Sequence, residues 1–125
     1  MLPSFLLSET VARQDGTGSE IEIIDAKALL LTLGITRIIE QESLDVAICG
    51  SPDGVTWEPK PLIAFPQKFY CGTYSLLLDL SKRPDIRHVR VQWKMNRWGR
   101  GDASPLFSFY VFAQDANAVT QRAVA

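Results

Sequence analysis

Apolar and polar residues alternate with a step of two over most of the chain, the period of a strand with one buried and one wet face. The clearest run is His88-Val89-Arg90-Val91-Gln92-Trp93-Lys94-Met95. Val89, Val91, Trp93 and Met95 form its apolar face, and His88, Arg90, Gln92 and Lys94 its solvent face. Strands are expected at 9–13, 20–24, 28–33, 36–40, 44–49, 56–58, 70–80, 88–96 and 106–113, with turn-forming groups at 15–18, 51–54, 81–85 and 99–105 between them. The run Leu106-Phe107-Ser108-Phe109-Tyr110-Val111-Phe112 is nearly all apolar. That suits a strand covered on both faces, its outer cover being a loop or another subunit. Eight or nine short strands without an amphipathic helix predict an all-β chain, an antiparallel two-sheet β-sandwich of jelly-roll type.

The most informative turn is Ser51-Pro52-Asp53-Gly54-Val55-Thr56-Trp57. Pro52 presets φ for a tight turn, Asp53 bonds back to nearby amides, and Gly54 takes positive φ without a Cβ clash. Ser51, Asp53, Gly54 and Trp57 therefore read as a structural turn, with Val55 and Trp57 on one face of the returning strand.

A strand ending in Ser-x-Asp-Gly-x-x-Trp, followed by Arg87-His88-Val89-Arg90-Val91, resembles the discoidin-like (galactose-binding-like) jelly rolls. The resemblance covers about a third of the chain. It implies a sandwich in which the first hairpin is structural, while glycans or lipid headgroups meet loops at one end. The chain is shorter than a typical discoidin domain and lacks that family's paired terminal cysteines, so no ligand-binding residue is carried over.

A length of 125 residues suits one domain with its own core. The expected organisation is an apolar N-terminal arm at 1–7, a sandwich at 8–114, and a mobile or docking tail at 115–125. Phe5, Leu6 and Leu7 are the arm residues expected to dock on a neighbour. No stretch has the length of a membrane span or the layout of a signal peptide, so cytoplasmic is the default location; a virion or surface assembly would read the same. Cys49 and Cys71 are expected to be free, largely buried thiols.

Charge is unevenly distributed along the chain. Residues 1–58 hold ten acidic and three basic side chains, a balance of −7, and residues 59–125 hold four acidic and ten basic, a balance of +6. Either acidic strands pair with basic ones inside one sandwich, or complementary surfaces join copies head to tail. A polyanion-binding face is the third reading, and the net charge of −1 weighs against nucleic acid.

Two loops carry binding chemistry. In Asn96-Arg97-Trp98-Gly99-Arg100-Gly101-Asp102 the glycines let the backbone bend and expose Trp98, with Arg97 and Arg100 beside it. Trp98 there either stacks on a ligand or folds back to cap the core. The second loop, 65–74, offers Phe65, Phe69 and Tyr70 either as a lid on the sandwich or as an exposed apolar patch.

His88 is the sole histidine and has no neighbouring nucleophile in the sequence. Cys49, Cys71 and His88 lack metal-site spacing. The expectation is no catalysis, no metal and no cofactor. The leading reading is a non-enzymatic structural subunit that self-associates into an ordered assembly, with copies of itself as partner. The alternative is a carbohydrate-binding module using Trp98 with Arg97 and Arg100, with a glycan as partner.

Overall fold

The computed structural model describes residues 3–23, 27–39, 41–98 and 105–116. Its strands are β1 (Ser4–Ala12), β2 (Gly16–Thr17), β3 (Ile21–Glu22), β4 (Ala28–Ile38), β5 (Glu42–Ser51), β6 (Ile63–Ala64), β7 (Gly72–Asp79), β8 (His88–Arg97) and β9 (Phe107–Asp115). They form two antiparallel sheets, one ordered β1-β9-β4-β7 and the other β2-β8-β5-β6, with β3 also on β8 beside β2's edge.

The pairing follows a simple rule. β1 pairs with β9, β2 and β3 with β8, β4 with β7, and β5 with β6. The chain is therefore a long antiparallel ribbon with its tip between β5 and β6, rolled over so that β9 meets β4 and β8 meets β5. With β2 and β3 counted as one interrupted strand, this is the eight-position winding of a jelly roll.

The two inner faces carry the alternation that the sequence predicts. Leu29, Leu31, Leu33 and Ile35 of β4 and Phe107, Phe109, Val111 and Ala113 of β9 meet Leu44, Val46 and Ile48 of β5 and Val89, Val91 and Trp93 of β8 in one core. Trp93 meets Phe109 edge-on across the sheets, 5.6 Å between ring centroids, and its indole N–H donates to the Gln14 carbonyl at 2.9 Å. The ring thereby buries its area without orphaning its polar atom.

Several expectations change. Residues 4–12 are one strand, so Phe5, Leu6 and Leu7 belong to β1 and not to a separate arm. Leu6 enters the core, and the Phe5 ring covers Tyr110 and Phe112 at 5.7 and 4.9 Å. The outer cover of the apolar β9 thus comes partly from its own neighbouring strand. The expected strands at 28–33 and 36–40 fuse into β4 across Gly34, where the Tyr110 ring occupies the place of a Cβ. The expected strand at 56–58 is a bend, with Val55 exposed. The chain returns along β5 later, at β6, through the Leu62 N–H to Ile48 carbonyl bond of 2.8 Å and the Phe65 N–H to Val46 carbonyl bond of 2.8 Å. The 15–18 turn contains β2. Of the expected tail, Asp115 ends β9, and residues 117–125 lie outside the described residues.

Rolling the ribbon also interleaves the charges. First-half strands lie against second-half strands, so Asp45 sits opposite Lys94, Glu42 opposite Arg97, and Arg83 pairs with Glu58. No helix of the described residues is long and apolar enough to cross a membrane.

Candidate functional site

Three connections between the sheets meet at one end of the sandwich: β4 to β5, β6 to β7, and β8 to β9. The registers place them together, since Glu42 pairs with Arg97, Leu44 bridges Lys68, and Ile38 pairs with Phe107. Loops gathered on a rigid strand scaffold are where binding residues concentrate. Here they enclose an open cleft of about 330 Å³ lined by Gln41, Glu42, Phe69, Tyr70 and Trp98.

The cleft is built from the backbone outward. Gln41 is the one non-glycine residue with positive φ among the described residues, at 61°. That left-handed conformation is uncommon for a side-chain-bearing residue. The Gln41 carbonyl accepts the Trp98 N–H at 3.0 Å, which sets where the indole leaves β8. Next to it, Glu42 is 1% exposed. Its carboxylate accepts the Ile39 N–H at 3.0 Å and the Leu106 N–H at 2.8 Å, tying the β4–β5 connection to the start of β9. A buried charge needs such partners, and two main-chain donors supply them.

The rim is aromatic. Phe69 touches Trp98 edge-on at 6.0 Å and lies 6.5 Å from Tyr70. Tyr70 is 71% and Trp98 55% exposed, so both rings present area to an incoming molecule. Lys68 braces the loop from behind, its Nζ 3.7 Å from the centre of the Tyr74 ring, while the Tyr74 hydroxyl donates to the Tyr70 carbonyl at 3.5 Å.

The two loops singled out in the sequence therefore converge. Phe69, Tyr70 and Trp98 share one cleft, whereas Arg97, half-buried at the end of β8, is not among its described lining residues. Phe65 does not join them: it is 4% exposed and packs in the core, because it follows β6 in register with Val46 and points inward. Arg100 and the rest of the 99–104 segment lie outside the described residues. Gln41 and Glu42 carry no mark in the sequence, where they fall in the connection between the strands expected at 36–40 and 44–49.

The other marked residues serve the fold. Asp53 Oδ1 accepts the Val55 and Thr56 amides, each at 2.8 Å, while Ser51 Oγ accepts the Gly54 amide at 2.8 Å and donates to Asp53 at 3.0 Å. These bonds, the Thr56 amide first, hold the Asp53 carboxyl at about 2. Gly54 takes φ of 79°, and Trp57 packs under the Arg90 guanidinium, 4.1 Å from the ring centre. Cys49 and Cys71 are both free; Cys49 is buried, and burial pushes its thiol up, but Cys71 is exposed rather than buried. The reason is position: Cys49 is held in β5 beside Gln92, while Cys71 falls in the loop before β7. Among the described residues no group of three or more His, Cys, Asp or Glu is placed to hold a metal ion. Comparison with protein-family models, with curated proteins and with solved structures finds no match for this chain.

Proposed function

We propose that this protein is a non-enzymatic binding module that takes a glycan in the cleft at the end of its sandwich. The observation that carries this reading is the convergence of Phe69, Tyr70 and Trp98, from two separate connections, around the polar floor of Gln41 and Glu42. Exposed aromatic faces beside fixed polar groups suit a pyranose ring, whose C–H face stacks on an aromatic while its hydroxyls take hydrogen bonds. A volume of about 330 Å³ is at the small end of ligand pockets, the size for one or two sugar rings. At about 0.3 kcal/mol per heavy atom, one ring of about 12 heavy atoms binds with a dissociation constant on the order of millimolar, and two rings of about 23 with one on the order of 10 μM.

Two features favour binding over hydrolysis. Glycoside cleavage uses a pair of carboxyl groups, and Glu42 is the sole carboxylate among the described lining residues. Both of its oxygens are already engaged by main-chain amides. The resemblance to discoidin-like jelly rolls, whose ligands meet loops at one end, agrees with the placement. Charge-driven head-to-tail assembly has less support, because the fold pairs acidic with basic strands internally.

The test is a panel of immobilised glycans probed with the protein and with Trp98→Ala and Tyr70→Ala. The proposal expects retention on at least one glycan class and at least tenfold weaker retention by each variant with unchanged thermal unfolding. Equal retention by all three proteins would refute it.

A further inference from the structure

The two sheets have four edges, and three are defended against pairing with another chain. β1 is irregular, with register shifts between Phe5 and Leu7 and between Leu7 and Thr10. The β2 and β3 edge consists of two separate two-residue segments. β6 has two residues and is flanked by Pro59, Pro61 and Pro66. Bulges, short strands and prolines are the usual means of blocking edge pairing.

β7 has none of these. It pairs with β4 over eight residues without a shift in register, from Asp79 opposite Ala28 to Gly72 opposite Ile35. The Leu80 N–H donates to the Lys27 carbonyl at 2.7 Å, which sets the phase of the ladder. Leu78, Leu76 and Tyr74 therefore exchange bonds with β4, and the main-chain groups of Thr73, Ser75 and Leu77 point away from the sheet. Among the described residues nothing hydrogen-bonds to those outward groups. Leu77 is 58% exposed there.

We infer that β7 is a pairing edge whose occupant is the β7 of a second copy, running antiparallel about a two-fold axis. The two four-stranded sheets then join into one continuous sheet of eight strands. The strand itself argues for a copy of this chain. Its outward side chains Thr73, Ser75 and Leu77 are uncharged, so self-pairing opposes no like charges. Its one charge, Asp79, lies at one end. An antiparallel copy sets the two Asp79 side chains at opposite ends of the strand pair, whereas a parallel copy would set them together. Lys82 follows Asp79 and shares its field without entering the strand. A strand pair alone buries less than a standard interface, so the dimer is weak, with a dissociation constant on the order of 10–100 μM.

Sedimentation equilibrium of the full chain, from low micromolar to several hundred micromolar, tests this inference independently of the cleft. The mass should double across that range. Ser75→Pro removes an outward N–H and spares the ladder with β4, and Leu77→Lys puts a charge on the edge. Each should shift the midpoint at least tenfold, while Val11→Lys on the defended β1 edge leaves it unchanged. A monomer at every concentration, the result if the edge takes a strand of another protein, overturns the inference. So does a dimer that both folded variants retain. Should the variants fail to fold, amide exchange in the unaltered chain decides: Thr73, Ser75 and Leu77 must exchange more slowly as concentration rises, and concentration-independent exchange overturns the inference.

Discussion

Asp53 shows how far a single carboxylate can be committed to shape. Its amide bonds favour the charged form, so its pKa falls from 3.8 to about 2. A lowered folded-state pKa means that the charged carboxylate stabilises the fold above about pH 4 and that this contribution is lost as pH falls towards 2. An NMR titration of the Asp53 side-chain carboxyl should give a midpoint near 2, and a midpoint near 4 would mean that the turn bonds are not made. Glu42 is the buried counterpart. Glu42→Ala strands the Leu106 amide and leaves Ile39 only its 3.3 Å bond to the Leu106 carbonyl, and should cost about 1–3 kcal/mol in chemical denaturation, with Glu42→Gln costing less because it keeps one carbonyl acceptor. The Asp53 turn was legible from its sequence, because Ser, Asp and Gly each act locally on the backbone. Glu42 was not, since its role depends on two amides brought in by distant connections.

At the scale of elements, alternation located the long strands and misjudged where they stop. β8 was plain because each apolar position meets the core. The pattern of β4 divides at Gly34, since a glycine in an apolar run reads as a break. Here it makes room for a ring from β9. Phe65 has the sequence context of a loop aromatic because the strand that points it inward has only two residues. A similar close approach occurs at β2. A Cβ at Gly16 would overlap the Trp93 indole, and that ring cannot yield because its N–H is fixed on the Gln14 carbonyl. Gly16→Ala should therefore destabilise the protein by roughly 1–3 kcal/mol, measured by urea unfolding. An unchanged midpoint would show that the indole is free to move.

For the whole molecule, one topological fact joins the charge pattern to the cleft. The rolled ribbon pairs early strands with late ones, so a chain that is acidic in its first half and basic in its second becomes a sandwich with opposite charges side by side. The same winding gathers three connections at one end, where Phe69 and Tyr70 meet Trp98 from a loop almost thirty positions away. The sequence marked these aromatics as surface chemistry, but strand order was needed to bring them into one site. The most direct measurement is an NMR titration of the isotopically labelled protein with a panel of mono- and oligosaccharides. The account predicts saturable shifts at the Trp98 indole and at the Gln41 and Tyr70 amides for at least one sugar. Silence across the panel, or shifts centred away from this end of the sandwich, would contradict it.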